Sequence, residues 1–414
     1  MNTAVALREE LMSRPVGIVR FYCLILGETI CSWLANGMLM ISLGWWALET
    51  KFKFLGSSTV EVFFFIPPIF LAIYIGKLSD KMQPVYLVRS GILLKLISAG
   101  VMAWVIQWHV GYHFIEILIF ALLISTGDSI IDPSITGYTA KLLRKKTFAR
   151  FVAARPLFID LSFLCGGLIA APILKMYGLQ GIILSAMCLY VIASAVVLSI
   201  PPITLVRSSE HFVLGRFSKI QENAVVHFLP LMLASAVIFF FGLLLLFVLV
   251  YPKEHLQANI EVASYMNGAF VVGLAVAMGY MWIWPIKNNI HRVASIICFL
   301  CALSVPIMLL GTTYIVAPLV VMMFFGMLLG YLSIYFDRLW ISQHAVQKRG
   351  EASGKLFFTT TTTRIAGIYG FGTLSTFVSM QAVILFMTVY LFILAACITV
   401  FGKQLNVLDK VGTE

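Results

Sequence analysis

Residues 76–89 read GKLSDKMQPVYLVR, and this polar stretch separates two long apolar runs. The chain of 414 residues is 61% hydrophobic and only 11% charged, whereas a soluble globular chain carries about 25% charged residues. Apolar runs of roughly 20 residues, which is enough to cross a bilayer, recur along the whole chain. The sequence therefore predicts a polytopic membrane protein in which residues 76–89 form a loop between two crossings.

The crossings are predicted to be helices, because lipid offers the backbone no hydrogen bonds and only helices or closed barrels satisfy it internally. Barrel strands alternate apolar and polar residues, but FFFGLLLLFVLVY at 239–251 is apolar on every face. The predicted fold is all-α, with twelve helices near residues 18–47, 59–77, 86–107, 113–138, 152–175, 180–200, 226–250, 262–285, 293–311, 314–336, 355–379 and 382–402.

The longest polar joint, at 201–225, divides the predicted helices into two sets of six. We predict an N-terminal six-helix bundle at 1–200, a cytoplasmic linker at 201–225 and a C-terminal six-helix bundle at 226–414. Similar loops recur in the two halves about 200 residues apart, as in transporters that are built from repeats.

The basic residues predict the orientation of the chain. Most of the 29 Lys and Arg residues lie in segments that are cytoplasmic if the N-terminus is cytoplasmic. By the positive-inside rule, we predict a multi-pass protein of a bacterial-type cytoplasmic (inner) membrane with both termini inside. This bias accounts for the net charge of +11 without a nucleic-acid partner. The run KLLRKKTFAR at 141–150 is interpreted as a topology signal, and contact with lipid headgroups is the alternative.

The loop at 76–89 resembles the signature G-x-L-[A/S]-D-[R/K]-x-G-R-[R/K] of the major facilitator superfamily. Gly76, Asp80 and Lys81 match it, and Arg89 follows later than the usual basic pair. The resemblance implies two six-helix bundles that work by alternating access around a central site. It also implies that Gly76, Asp80, Lys81 and Arg89 form a cytoplasmic gating loop, with Asp80 docking near residues 353–354.

Within that superfamily, the chain is similar to two branches. The similarity to lysophospholipid transporters lies in VRSGILLKLISAG (88–100), DPSITGY (132–138), YMNGAFVVGLAVAMGY (265–280) and QKRGEASGK (347–355). A second similarity, to drug and siderophore exporters, lies in GWWALE (44–49) and PPIFLAIYIGKLSD (67–80). The resemblances imply a secondary transporter of an amphipathic organic anion, with a lysophospholipid as the leading class and a proton-coupled transporter of a siderophore or drug-like molecule as the alternative.

The chain departs from the lysophospholipid branch at several polar positions. The Gly-Asp-Asn of its first helix falls at Leu34, Ala35 and Asn36, so only the Asn is kept. In the helix at 355–379, Arg364 stands where that branch carries an acid. If these positions contact the headgroup in the branch, this chain contacts its substrate differently.

Ionisable residues inside the predicted spans each need a reason, because burying one in a bilayer costs about 2.5–3.5 kcal/mol. These residues are Glu28, Lys95, Asp128, Asp132, Arg155, Asp160 and Arg364. Asp128 and Asp132 lie four apart on one helix face. Burial and a neighbouring like charge both favour the protonated form of a carboxylate, so this pair is a candidate proton site. The alternative is a structural link from Asp132 to Arg155 or to the 141–150 loop.

Other candidates for the cavity come from the resemblance. It implies that Glu28, Asn36 and Asp160 border the substrate pathway, although Asp160 could instead pair with Arg155 or Lys95. Arg364 follows five threonines, and a guanidinium with hydroxyls can bind a phosphate or carboxylate; pairing with an acid of the first half is the alternative.

Three further carboxylates lie near the outer ends of predicted helices. We interpret them as interfacial residues close to water. They are Glu61, Glu116 and Glu261.

The sequence predicts transport rather than catalysis. No P-loop motif is present, so we expect a proton or lipid gradient to drive the protein, with no cofactor and no metal site. One alternative is an intramembrane enzyme in which two membrane aspartates activate water, since STGD (125–128) is similar to the Gly-x-Gly-Asp of membrane aspartyl proteases. A receptor or channel on the same scaffold is the other alternative. The expected partners are the lipid bilayer and a small-molecule or lysolipid substrate, and we expect a monomer.

Overall fold

The computed structural model of the chain describes residues 15–108, 114–142, 145–200, 224–283, 290–312, 315–343, 349–402 and 404–405. Over these residues the backbone forms helices joined by short turns and contains no strand. The predicted all-α class of a polytopic membrane protein is confirmed.

The helices of the described residues overlap all twelve predicted ones. They are α1 (Pro15–Glu49), α2 (Lys53–Phe63), α3 (Ile66–Lys81), α4 (Pro84–Trp108), α5 (Phe114–Leu142), α6 (Lys145–Leu198), α7 (Ala224–Val250), α8 (Ile260–Ile283), α9 (Ile290–Ser304), α10 (Val316–Ser342), α11 (Arg349–Phe377) and α12 (Met380–Val400). A π-helical turn (Tyr251–His255) follows α7, and a 3-10 helix (Val305–Thr312) follows α9.

The helix predicted at 59–77 is divided in two. Its first part, α2, ends at Phe63, and α3 begins at Ile66 with prolines in its first turn. Proline suits a first helical turn because the N–H that it lacks would have no intrahelical partner there. The apolar run hides this break, since both sides of it are equally apolar.

The helices predicted at 152–175 and 180–200 form one element, α6, that bends at Gly178. This glycine has φ 63° and ψ −166°, which is not helical. Glycine adopts a positive φ without the steric cost that a Cβ would bring. The bend at Gly178 therefore separates the two predicted helices without a loop between them.

Ten segments of the described residues are long and apolar enough to cross a membrane. One of them, Phe158–Leu198, has 41 residues and would be about 60 Å long if straight, roughly twice the hydrocarbon thickness. With its bend at Gly178 it has the length of two crossings. The helix α11, which carries the threonine run, is not among the ten. The structure is compatible with the twelve predicted crossings.

Reciprocal glycines bring pairs of helices into backbone contact at equivalent places in the two halves. A Cβ at Gly37 of α1 would overlap the backbone of α6, and one at Gly166 of α6 would overlap that of α1. In the second half, Gly242 of α7 and Gly367 of α11 are related in the same way. Small residues let membrane helices approach closely, and the two pairs lie about 200 residues apart, like the predicted repeat.

The helices pack into two compact units. Residues up to Leu43 and from Phe63 to the boundary at His211 belong to the first, and the segment Gly44–Val62 belongs with the later helices in the second. In the first unit α5 packs against α3 and α4, and α4 also packs against α6. In the second unit α8 packs against α10, α7 against α11, and α9 against α12. The predicted linker at 201–225 lies almost wholly outside the described residues, so the predicted domain bounds stay a prediction.

The interpretation of Glu61 as an interfacial residue is wrong. Glu61 lies in α2, within the segment that belongs to the second unit, and only 1% of its surface is exposed. The sequence places it near a helix end, but neighbouring helices cover that end. Glu116 and Glu261 are half-buried, so the interpretation of those two carboxylates as interfacial stays a prediction.

Candidate functional site

A buried lysine lies at the centre of the first unit. Lys95 of α4 is fully buried, and its ammonium group donates hydrogen bonds to Oδ1 of Asp128 on α5 and to Oγ of Ser32 on α1, both at 2.6 Å. The same ammonium lies 4.8 Å from the ring centroid of Tyr190, which comes from the second part of α6. A cation over an aromatic face is attracted by the ring, and more strongly where water is excluded.

Asn36 completes the network around this ion pair. Its Nδ2 donates to Oδ2 of Asp128 at 2.8 Å, and its Oδ1 accepts a hydrogen bond from the hydroxyl of Tyr190 at 2.8 Å. Both carboxylate oxygens of Asp128 therefore have partners, and so does the side-chain amide of Asn36. Side chains from α1, α4, α5 and α6 meet here, and a fully satisfied buried network of this kind rigidifies its surroundings.

The glycine before Asp128 makes room for the lysine. A Cβ at Gly127 would overlap Cγ of Lys95, and it would also come close to the carbonyl oxygen of Gly91 on α4. The helices α4 and α5 therefore cross closely at these two glycines, and the aliphatic stem of Lys95 lies over Gly127. The sequence Gly127–Asp128 supplies both the space for this side chain and its counter-charge.

A second ion pair lies one helical turn further along α5. Nη2 of Arg155 on α6 lies 2.5 Å from Oδ1 of Asp132; the Arg155 side chain is buried, and that of Asp132 is 28% exposed. Asp128 and Asp132 thus each contact a different cation. The alternative link of Asp132 to Arg155 is present, and the role of the two carboxylates as a proton site stays a prediction.

Glu28 is a buried carboxylate of the first unit, and it forms no direct ion pair with the described cations. Only 1% of its surface is exposed; its Oε2 accepts a long hydrogen bond of 3.4 Å from Thr29, and its Oε1 has no hydrogen-bond partner. It is close enough to Arg155 and Lys95 to interact with them electrostatically. Among these buried charges of the first unit, two cations face three acids, and Glu28 is the acid that neither cation contacts directly.

Arg364 lies in α11 of the second unit. Its guanidinium is 4.9 Å from the ring centroid of Phe241 on α7, close to the crossing of α7 and α11 at Gly242. The hydroxyls of Thr359, Thr360, Thr362 and Thr363 donate to carbonyl oxygens of the preceding turn of the same helix. These threonine hydroxyls therefore satisfy the helix backbone, and the predicted anion site of Arg364 with hydroxyls stays a prediction.

The remaining predicted residues are placed as follows. Asp160 on α6 is half-buried, and the cations proposed as its alternative partners contact other aspartates. The side chains of Gly76, Asp80 and Lys81 in the predicted gating loop lie outside the described ones, as do residues 353–354.

Arg89, the last predicted residue of the gating loop, binds the end of another helix. Its Nη2 donates to the carbonyl oxygens of Leu198 and Ile200 at 3.2 and 3.0 Å. Cations near a helix C-terminus satisfy the last carbonyl groups and favour the helix dipole. Arg89 therefore links the start of α4 to the end of α6, and its role in gating stays a prediction.

Sequence patterns did not predict the roles of Ser32 and Tyr190 or the pairing of Lys95 with Asp128. A lysine and an aspartate inside neighbouring predicted spans were a signal, because buried charges are usually paired. No comparable signal exists for Tyr190, since tyrosine is common throughout membrane proteins. Among the described residues, no group of three His, Cys, Asp or Glu side chains is placed to hold a metal ion.

The comparison with known proteins gives one family and several similar folds. A sequence profile of the Major Facilitator Superfamily matches residues 28–367. No curated protein sequence matches the chain.

Three solved structures illustrate the similar folds. An auto-inhibited peptide transporter of the POT family aligns with a TM-score of 0.68 at 12% identity, covering 92% of this chain and 96% of that one. A bacterial homologue of the human lysosomal transporter Spinster, inward-facing and occupied, has a TM-score of 0.67 at 12% identity, covering 93% and 97%. The xylose transporter XylE from E. coli, in an inward open conformation, has a TM-score of 0.68 at 13% identity, covering 92% and 96%. At such identities the likeness shows the fold alone.

Proposed function

Because this chain belongs to the Major Facilitator Superfamily, a family of secondary transporters, we propose that it couples substrate movement to a proton that Glu28 carries. The observation that carries the proposal is that Glu28 is buried without an ion pair, beside two buried cations that each contact an aspartate. An ionised carboxylate without a partner is costly to bury, and protonation removes that cost. Of the three acids, Glu28 is therefore the one for which burial most strongly favours the protonated form.

Loss of the proton changes the balance of charges in the first unit. An ionised Glu28 competes with Asp132 for Arg155 and with Asp128 for Lys95. Either change would rearrange side chains that join α1, α4, α5 and α6. We propose that this competition links the protonation state of Glu28 to alternating access, since a ligand shifts a conformational equilibrium only through different affinities for the two states.

For the substrate we propose an amphipathic organic anion, with a lysophospholipid as the leading class. Two features support this. The chain resembles lysophospholipid transporters over several helices, and α11 carries the partly buried Arg364 over the face of Phe241. A guanidinium binds phosphate or carboxylate through a forked pair of hydrogen bonds, while an aromatic face offers contact for an acyl chain. A siderophore or drug-like molecule is the second candidate, on the resemblance of residues 44–49 and 67–80 to exporters.

The substrate class is tested first by thermal unfolding of the purified protein with lysophospholipids, siderophores and amphipathic drugs. A ligand that binds only the folded protein raises the unfolding midpoint. We expect a lysophospholipid to raise it. A rise with siderophores or drugs alone would replace the leading candidate with the second one.

The proton role is tested in proteoliposomes with Glu28→Gln. This variant mimics the protonated side chain, so we expect it to retain exchange of labelled for unlabelled substrate. Accumulation driven by a pH gradient should fall by about tenfold or more, because the step that needs deprotonation is lost. Glu116→Gln, a half-buried carboxylate outside the network, is the matched control and should behave like the wild type. Accumulation by Glu28→Gln at the wild-type level would exclude Glu28 as the proton carrier.

A further inference from the structure

A second buried carboxylate, Glu61, lies in α2. Residues 44–62, here called the outer hairpin, belong to the second unit and pack against its helices. Gly44 approaches Leu249 of α7 so closely that a Cβ would overlap it, and Ser58 of α2 packs against Gly372 of α11 in the same way. The outer hairpin is thus held against α7 and α11 by contacts between small residues.

Charged groups hold the tip of the outer hairpin. Lys253, in the turn after α7, lies 3.8 Å from Oε1 of Glu49 and 5.2 Å from the ring centroid of Trp45. Glu49 is largely exposed and Lys253 is partly exposed, so this contact is in reach of water. The contact between Lys253 and Glu49 holds the exposed tip of the outer hairpin, and it does not involve the buried residues of the hairpin.

The buried part of the hairpin contains two polar groups that have no partner. Oε2 of Glu61 and Oγ of Ser57 form no hydrogen bond, although both residues are almost completely buried. They are four residues apart on α2, so they share one face. Both lie next to Gly44: a Cβ built there would be 3.4 Å from Oγ of Ser57 and 3.6 Å from Oε1 of Glu61. The two groups therefore converge on the same small space beside α1.

Among the described residues, no charged group of the surrounding elements forms an ion pair with Glu61. The end of α1 presents Glu49, which contacts Lys253. The turn after α7 also carries Tyr251, whose hydroxyl donates to the carbonyl of Met308, as well as Glu254 and His255. The charged residue of α11 nearest in sequence to Gly372 is Arg364, two turns away, which lies over Phe241. None of these residues forms an ion pair or hydrogen bond with Glu61 within the described part of the chain.

We propose that Glu61, with Ser57 beside it, is a proton-binding site, and that the bound proton keeps the outer hairpin packed in the second unit. A neutral carboxylic acid can stay buried here. Its O–H group is a hydrogen-bond donor, which the unpartnered oxygens of Glu61 and Ser57 otherwise lack. When the proton leaves, the ionised group has no counter-charge, and the hairpin must move to let it reach water. A metal ion fits less well, because hard cations need several oxygen ligands and this space offers one carboxylate and one hydroxyl.

The site is separate from the role proposed for Glu28, which lies in the other unit. Proton binding at Glu61 makes the packing of the outer hairpin depend on pH. The packed position is favoured where Glu61 is protonated, and it is lost as the pH rises and the proton dissociates.

The proposal is tested by the accessibility of residue 58 in full-length protein in lipid nanodiscs. Ser58→Cys places a thiol against Gly372, and Phe52→Cys places a reference thiol at an exposed position of the same hairpin. Reaction with a polar maleimide is read at each site by mass spectrometry of the peptides. The ratio of the two rates removes the general effect of pH on thiol reactivity.

We expect this ratio to rise about tenfold between about pH 5.5 and about pH 8.5 in the protein with Glu61. With Glu61→Gln it should stay low at both pH values, because the amide cannot ionise. Glu61→Asp should keep the pH response, and Glu116→Gln, which changes a half-buried carboxylate of the first unit, should leave it unchanged. A ratio that ignores pH, or that responds equally in Glu61→Gln, would overturn the proposal.

A second measurement needs no introduced cysteine. A protonated buried carboxylic acid gives an infrared C=O band that an ionised carboxylate lacks. The difference spectrum between wild type and Glu61→Gln at acidic pH should contain this band, and it should vanish at alkaline pH. A difference spectrum without the band shows that Glu61 is ionised while packed, which contradicts the proposal.

Discussion

The ammonium group of Lys95 lies 2.6 Å from Oδ1 of Asp128, and this ion pair joins α4 to α5 where Lys95 has no exposed surface. Two buried charges in contact are not by themselves strongly stabilising, because both lost their hydration. Removing one of them, however, leaves the other buried without compensation. The packing of α4 against α5 therefore depends on the presence of both charges.

This dependence predicts the result of a double-variant experiment. Lys95→Met should lower the free energy of unfolding by about 3–5 kcal/mol, since it leaves Asp128 as an uncompensated buried charge. Lys95→Met with Asp128→Asn should recover most of the loss. Thermal unfolding in detergent measures both, with the exposed Lys175→Met as a control that should change little. A double variant no more stable than Lys95→Met alone would show that the charge of Asp128 is compensated elsewhere.

The close crossing at Gly127 predicts a steric effect on the same pair. Gly127→Ala adds a Cβ that overlaps Cγ of Lys95, and this should destabilise the protein by about 1–3 kcal/mol. Gly100→Ala is the matched control on α4, because a Cβ there meets nothing within 4 Å. That variant should be neutral or stabilising, since Ala favours a helix over Gly by about 1 kcal/mol. Equal effects at the two glycines would contradict the close crossing.

The second ion pair predicts different effects at its two ends. Asp132→Asn should cost about 3–5 kcal/mol of stability, because it leaves the buried Arg155 without its partner. Arg155→Gln should cost less stability, because the Asp132 that it leaves unpaired is partly exposed to water, but it removes a cation that acts electrostatically on Glu28. Substrate exchange in proteoliposomes should therefore be slower in Arg155→Gln than in Asp132→Asn. The opposite order would show that the Asp132 carboxylate itself takes part in transport.

The position of Arg364 predicts a loss of transport without a loss of protein. Arg364→Ala should abolish substrate exchange while expression stays normal, since the guanidinium is the proposed anion ligand. Arg364→Lys should keep part of the activity, because an ammonium retains the charge but not the forked hydrogen bonds. Thr362→Ala is the control: this residue is exposed and its hydroxyl bonds the carbonyl of Phe358. Wild-type exchange by Arg364→Ala would remove Arg364 from the site.

Much of the fold was predictable because the bilayer constrains the backbone so strongly. Long apolar runs must form helices, and a break such as that between Phe63 and Ile66 changes their continuity but not their presence. The charged residues inside the spans could also be identified from the sequence. The contacts between those charges could not be predicted from it, as the two aspartates of α5 illustrate. Their spacing places them on one helix face, but it does not reveal that α4 and α6 supply each of them with its own cation.

The sequence by itself determined that the chain crosses a membrane as helices, since apolar length and the need to satisfy backbone hydrogen bonds are properties of each segment alone. Only the tertiary structure decided the partners of the buried charges. Ser32, Asn36, Asp128 and Tyr190 come together at Lys95 because four helices cross there, and Glu61 is buried because its hairpin packs on α7 and α11. Such contacts join residues far apart in the chain, so no local pattern encodes them.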